Sequence, residues 1–220
     1  MHKYDLHIHT SQTSPCASMS GAEQARAYKA LGFTGIVITD HYYDGFFEKN
    51  ASPTWAESMD KYFSGYFDAK AEGGRIGLDV FQSAEVTLAY NRKDYLVYGA
   101  EPEFFYDNEK LFDLTEAELI ARVHGAGGLV FAAHPFRYET LHPYGAIDGA
   151  EVINGNPMSR NSLAMQFAKQ NNLLMCSGSD AHNPGDEGKG GIILPRRILG
   201  IKDLADALRA GDFGFVNPLE

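Results

Sequence analysis

One repeated juxtaposition constrains this chain more than any other feature. Short apolar runs suited to buried strands end, one after another, in a histidine, a carboxylate or an asparagine. His7 and His9 end the first run, Asp40 and His41 follow the second, and Glu85 ends the third. His134 follows the fifth, Asn154 the sixth, and Asp180 and His182 the seventh. Strands are expected at residues 4–9, 36–39, 78–85, 95–98, 129–133, 150–153, 173–177, 192–194 and 213–216. Within the first, Tyr4, Leu6 and Ile8 alternate with Asp5, His7 and His9, which predicts two opposite faces.

Helical stretches separate these runs. Ser20-Gly21-Ala22-Glu23 and Thr115-Glu116-Ala117-Glu118 read as capping boxes, with Gly32 and Gly127-Gly128 as the corresponding stops. Further helices are expected over residues 54–72, stopped by Gly73-Gly74, and near 161–170 and 202–210. Strands alternating with helices of this length predict an α/β fold with parallel pairing through right-handed crossovers, as an open sheet or a barrel. No repeat or Pro/Gly/Ser-rich linker interrupts the pattern, so a single domain over residues 1–220 is expected.

Composition narrows the function classes. With 220 residues and 44% hydrophobic content, a chain can bury a sizeable core without a metal or disulfide to hold it. Cys16 and Cys176 are far apart, so neither a disulfide framework nor a zinc finger is indicated. The net charge is −10 and the lysines and arginines are scattered, which argues against long nucleic acids and anionic membranes as partners. No apolar run approaches the roughly 20 residues of a membrane span. Residues 1–5 lack signal-peptide character, so a cytoplasmic protein is expected.

In parallel α/β architectures the carboxyl ends of the strands carry the functional groups. Five of the eight histidines fall at such ends here. Residues i and i+2 of a strand point the same way with α-carbons about 6.6 Å apart, so His7 with His9, and Asp180 with His182, are each spaced to grip one cation. Imidazole and carboxylate donors together suit zinc, manganese or iron, and Glu85 has two oxygens with which to bridge two ions.

The chain resembles the polymerase-and-histidinol-phosphatase (PHP) superfamily of metal-dependent phosphoesterases. The matching motifs are Asp5-Leu6-His7-Ile8-His9-Thr10, Thr39-Asp40-His41, Ala84-Glu85-Val86, Ala133-His134-Pro135-Phe136-Arg137-Tyr138 and Gly178-Ser179-Asp180-Ala181-His182, in family order. The resemblance implies a distorted (β/α)7 TIM-like barrel with two or three divalent ions. His7, His9, Glu85 and Asp180 would hold one ion, Glu85 and His134 a second, and His41 with His182 a third. Two departures stand out: Asp94 takes a place where many members have histidine, and is read as an oxygen ligand, while Ser14-Pro15-Cys16 replaces a loop ligand. Cys16 could serve there as a thiolate ligand, but is read as packed.

The reading that follows is hydrolysis of a small phosphomonoester by a metal-activated hydroxide, histidinol-phosphatase-like or nucleotide-phosphatase-like. Asp180, His182 and His41 are the expected proton-handling residues, and Arg137 is the expected contact for a substrate phosphate. The alternatives are an amidohydrolase-type C–N hydrolase and a non-catalytic metal-binding regulatory module. Residues 185–191 lack P-loop spacing and read as a loop beside the site. Tyr42, Tyr43, Phe46, Phe47 and Trp55 read as packing, and His2, His124 and His142 are left off the ligand list.

Overall fold

The computed structural model describes residues 1–137 and 144–217. In chain order the strands and helices are β1 (His2–Ile8), α1 (Gly21–Ala30), β2 (Gly35–Ile38), β3 (His41–Tyr42), α2 (Asp44–Lys49), α3 (Trp55–Tyr62), α4 (Ser64–Ile76), β4 (Asp79–Gln82), β5 (Ala84–Thr87) and β6 (Asp94–Tyr98). There follow α5 (Pro102–Asp107), α6 (Glu116–Gly125), β7 (Leu129–Ala132), β8 (Gly149–Asn154), α7 (Asn161–Gln170), β9 (Leu174–Gly178), β10 (Ile192–Leu194), α8 (Ile201–Ala210) and β11 (Gly214–Phe215). The α/β class is as expected. Tyr138 and His142 lie outside the described residues.

Two sheets form, in the orders β11-β10-β1-β2-β4 and β3-β5-β6-β7-β8-β9. Neither closes on itself, so the expected barrel is not found as a closed sheet. The sheets nevertheless meet along two seams. The run 78–85, expected as one strand, breaks at Ser83 and passes from the first sheet to the second: Ser83 donates to the Ile38 carbonyl at 2.9 Å and Glu85 to the Asp40 carbonyl at 3.2 Å. On the other side Asp180 N–H donates to His7 O at 2.8 Å and His9 N–H to Ala181 O at 3.1 Å, tying β1 to the segment after β9.

Pairing is not parallel throughout. The β5–β6 and β6–β7 ladders are antiparallel, as are β1–β10 and β10–β11. The chain between β5 and β6 is too short for a crossover, so it folds back as a hairpin with Leu88 N–H on Lys93 O. Once β6 is reversed, β7 can run with the remaining strands only by opposing it.

The capping boxes at Ser20 and Thr115 form as expected, and Thr54 with Glu57 makes a third. The long helix expected over 54–72 divides at Phe63, and Gly73-Gly74 does not stop it: α4 runs on to Ile76 and ends at Gly77 in the left-handed conformation. Along β1, register shifts between Asp5 and Ile8. Tyr4 and Leu6 consequently join an inner apolar cluster with Val37, Leu96, Phe131 and Cys176, whereas Ile8 joins Ile36, Ile38, Tyr28 and Ala69 under α1 and α4. A bulge that re-aims consecutive side chains in this way explains why β1 is buried on both faces rather than alternating cleanly. The aromatic residues Tyr42, Phe46 and Phe47 are core, packed with Trp55 and Tyr62. Among the described residues no helix is long and apolar enough to cross a membrane.

Gly178 makes the β1–β9 seam possible, because a Cβ there would lie 2.3 Å from the His7 Cβ and 2.7 Å from its backbone nitrogen. Gly178→Ala is therefore expected to lower the unfolding free energy by about 1–3 kcal/mol, measured by denaturant titration, through displacement of β1.

Candidate metal centre

All eight side chains expected as ligands converge. His7 Nε2 lies 3.4 Å from Glu85 Oε1 and 3.5 Å from Asp180 Oδ1; His9 Nε2 lies 3.6 Å from Glu85 Oε2 and 3.1 Å from Asp180 Oδ1. His134 Nε2 sits 2.9 Å from Glu85 Oε1 and 3.9 Å from Asp94 Oδ2. His41 Nδ1 lies 2.6 Å from Glu85 Oε2, and its Nε2 lies 3.5 Å from His182 Nε2. Four sets of three ligand atoms lie within 4.8 Å of one another: His7, His9 and Glu85; His7, His134 and Asp180; Glu85, Asp94 and His134; and His9, His41 and His182.

Four atoms at the centre, His7 Nε2, His9 Nε2, Glu85 Oε2 and Asp180 Oδ1, are buried without a hydrogen-bond partner among the described residues. An unpaired buried polar atom costs roughly 1–3 kcal/mol, and four pointing at one another constitute a strong demand for a cation. His/carboxylate donors at this spacing fit divalent metals, so the residues present fit the expected group.

Electrostatics tells the same story from the protons. Burial works against the charge on His7, but Glu151, Asp180 and Glu85 outweigh it and hold the imidazolium well above its ordinary range. For Glu85 burial pushes upward, and the cationic His7 and His41 with the His134 hydrogen bond bring it well below the carboxylate range. Asp180 follows the same pattern, with His7, His9 and Arg137 overcoming burial. His9 is driven well down by burial and by His41 and thus presents a neutral ring. Asp94 is raised, by burial and by the nearby Glu85. Protons thus occupy part of the role that cations would take.

A surrounding layer fixes these groups, and much of it was not foreseen. Glu151, buried on β8, accepts from His134 N–H at 2.9 Å and from Asn154 Nδ2 at 2.9 Å, and faces His7 Nδ1 at 3.0 Å. With that nitrogen held, His7 is left to present Nε2 to the centre. Its only sequence signal was a charge inside an apolar strand. Asp40 accepts from Thr10 N–H at 2.6 Å, Thr10 Oγ1 at 2.7 Å and Ser14 Oγ at 2.7 Å, so it ties down the loop after β1 rather than entering the centre. Asp5 accepts from Tyr28 OH at 2.8 Å and from Ser179 N–H at 2.9 Å. Burial nevertheless raises both Asp5 and Asp40 to about 6. His134 (φ 27°) and Asp180 (φ 55°) both hold left-handed backbone, a strained arrangement costing roughly 1–3 kcal/mol that aims their side chains inward.

Arg137 is mostly buried, and its Nη2 binds Asp180 Oδ2 and reaches Asn154 Oδ1 at 3.2 Å and Ser159 Oγ at 3.3 Å. It also lines a cavity of about 440 Å³ together with Cys16, His41, His182, Asn183 and Lys189. Cys16 is not packed away as expected: it is exposed, with Sγ 3.3 Å from His41 Nε2. Burial would raise its thiol, but hydrogen bonds and charge from His182 and His41 lower it to about 6. The loop 185–191 does border the site, and is tied to it by Gly190 N–H on Ser179 Oγ at 2.9 Å and Gly191 N–H on Ser177 Oγ at 2.9 Å. His124 pairs with Asp148 at 2.9 Å, away from the ligand groups.

Residues 159–213 match the PHP-associated family model PHP_C. No curated protein matches the chain. Among solved structures it is similar to a two-domain protein from Bacteroides vulgatus containing a predicted PHP-like metal-dependent phosphoesterase, with TM-score 0.68 and 18% identity over 94% of this chain. The chain spans 63% of that protein's length. A candidate metal-dependent phosphoesterase from Bifidobacterium adolescentis is similar with TM-score 0.58 and 18% identity, covering 94% of this chain and 96% of the other. An amidohydrolase from Chromobacterium violaceum, with bound sulfate and no metal, shares the fold with TM-score 0.61 and 16% identity over 93% and 96% of the two chains.

Two outcomes are expected of the metal-free protein. Glu151→Gln should weaken zinc affinity by about 10–100-fold in a chelator competition while leaving the far-ultraviolet circular dichroism unchanged, because it frees His7 to rotate. Cation uptake at pH 7 should release protons, since His7 and His41 are both held above the ordinary imidazole range and must deprotonate to bind. Affinity should therefore rise with pH, and heats of binding should differ between buffers of unequal ionisation enthalpy.

Proposed function

We propose that the chain is a PHP-type enzyme, a reading supported by the matched segment and the shared fold, and that it hydrolyses a small phosphomonoester at a centre of two or three divalent ions, zinc, manganese or iron. The observation that carries this reading is the convergence of His7 Nε2, His9 Nε2, Glu85 Oε2 and Asp180 Oδ1, buried and unpartnered, on one point. In this reading His7, His9, Glu85 and Asp180 hold one ion, Glu85, His134 and Asp94 a second, and His41 with His182 a third. Such ions, when bound, lower the pKa of water toward neutrality and neutralise phosphoryl oxygens.

The chain's own residues orient the reaction. Glu85 directs Oε1 toward His7 and His134 and Oε2 toward His9 and His41, the disposition of a bridge between neighbouring ions. Arg137 and Asn154 hold Asp180 Oδ2, which fixes Oδ1 toward His7 and His9, where it would hold an ion and orient a water beside it. His41 and His182 stand at the cavity wall, where in a two-ion state either can pass its Nε2 proton to the leaving alkoxide. Arg137, whose Nε has no partner among the described residues, is placed to hold a phosphoryl oxygen as well as Asp180. A cavity of about 440 Å³ suits a small substrate rather than a nucleic-acid strand.

The amidohydrolase among the similar structures favours one alternative, C–N cleavage by the same ions. A panel of phosphomonoesters and cyclic amides, assayed with added manganese, zinc or iron, separates the two. Turnover of phosphomonoesters is expected, and hydrolysis of the amides alone would overturn the phosphatase reading. Asp180→Asn should lower kcat about 10²–10⁴-fold with a much smaller change in KM. Elemental analysis of chelator-free protein should find at least two ions per chain.

A further inference from the structure

The proposed centre leaves one reactive group at its mouth without a role. Cys16 lies in the loop between β1 and α1, and that loop is laced to both of the histidines beside it. Ser18 N–H donates to the His182 carbonyl at 2.9 Å, and His41 N–H donates to Ser14 Oγ at 3.1 Å. The Cys16 sulfur is thereby held 3.3 Å from His41 Nε2, in the wall of the cavity.

The two imidazoles are already oriented. His182 Nδ1 sits 2.8 Å from the Asp180 carbonyl oxygen, an atom that can only accept, so Nδ1 carries the proton and Nε2 the lone pair. His41 Nδ1 faces the Glu85 carboxylate at 2.6 Å, which leaves Nε2 as the nitrogen turned toward the cavity. Once both rings are neutral, as cation binding requires, the two Nε2 lone pairs face each other across 3.5 Å as a pair of donors for a cation between them. A third imidazole stands beside them: His9, fully buried, offers a ring nitrogen within 4.8 Å of one on His41 and one on His182.

The distances discriminate further. Zinc bonds of about 2.05 Å to nitrogen and about 2.3 Å to sulfur give tetrahedral edges of about 3.4 Å for N···N and about 3.6 Å for N···S. The observed separations are 3.5 Å for the nitrogens and 3.3 Å from sulfur to nitrogen. We infer that Cys16 is a metal ligand, completing with His41 and His182 a thiolate-bearing site for a soft or borderline divalent ion such as zinc, cobalt or iron. On binding, the thiol proton leaves to solvent as the sulfur–metal bond forms, with no change of oxidation state. A thiolate in this position disfavours manganese and magnesium, so the outermost ion would differ in kind from one held by carboxylates and imidazoles alone.

The inference rests on the metal reading above, and cobalt spectroscopy separates its failure from the failure of that reading. The full chain is stripped with chelator and loaded with Co²⁺ in a phosphine reductant. The loaded protein is expected to show a near-ultraviolet sulfur-to-cobalt charge-transfer band that is lost in Cys16→Ala and kept in Cys176→Ala, whose sulfur is buried in the apolar core. Cys16→Ala should also retain one fewer cobalt per chain, and Cys16→Asp should restore the count without the band. A loaded protein that lacks the band, or a band that survives in Cys16→Ala, overturns the role of Cys16 and leaves the imidazole–carboxylate centre standing. A chain that retains no cobalt at all overturns both.

Discussion

Everything at this centre depends on Glu85 and Asp180 being carboxylates with almost no contact with water. A buried negative charge is tolerated only beside compensating positive charge and donors. Here the compensation comes from histidines on four separate stretches of chain: His7 and His9 from β1, His41 from β3, His134 after β7 and His182 after β9. None of these stretches could be shifted without leaving an acid unpaired. The requirement therefore acts on the fold as well as on the chemistry, since it fixes where two sheets meet. The β1–β9 seam delivers His7, His9 and Asp180, and the break at Ser83 delivers Glu85 beside His41, paired in parallel register.

The layer behind the ligands does a different job. Glu151, Asp40 and Asp5 are buried acids that touch loops and backbone amides more than the central cluster. Each consumes a hydrogen-bonding group that would otherwise let a ligand rotate or a loop lift. Glu151 is the clearest case, because one carboxylate holds the His134 backbone, the Asn154 amide and the His7 ring together. Arg137 acts in the same sense on Asp180, which turns a residue expected to face substrate into one that first sets the angle of a ligand.

The residues of the candidate centre were legible in the sequence because strand ends are: an apolar run stops, and the residue that stops it is conspicuous. His7, His9, Glu85, His134 and Asp180 all announce themselves in this way. Glu151 does not, since it sits within Ala150-Glu151-Val152-Ile153 and its burial depends on partners from β1 and from the turn after β7. The direction of β6 was likewise hidden, because a parallel and an antiparallel buried strand read alike and only the short return from Leu88 to Lys93 distinguishes them. Gly73-Gly74 misled for a related reason. Gly73 is required by the close approach of α4 to β4, where a Cβ would lie 2.6 Å from Val80, and not by a helix end. Cys16 stands where a loop ligand is expected, but its approach to His41 was not legible because its loop takes its shape from Asp40 and from the His182 carbonyl, contacts that no local pattern encodes.

The acidic composition and the anion-binding role assigned to the cavity are compatible for a physical reason. In the metal-free chain, protons on His7 and His41 offset Glu85 and Asp180, and these are the protons that cations would displace. A proton brings one positive charge where a divalent ion brings two, so loading makes the cleft more positive while the rest of the surface stays acidic. The net charge of −10 then repels anions in general, but the field within the cleft attracts one that fits, with Arg137 and Lys189 already in its wall. Under the proposed function, exchange of protons for cations would couple the two properties such hydrolysis needs, an activated water and a positive pocket, to a single event.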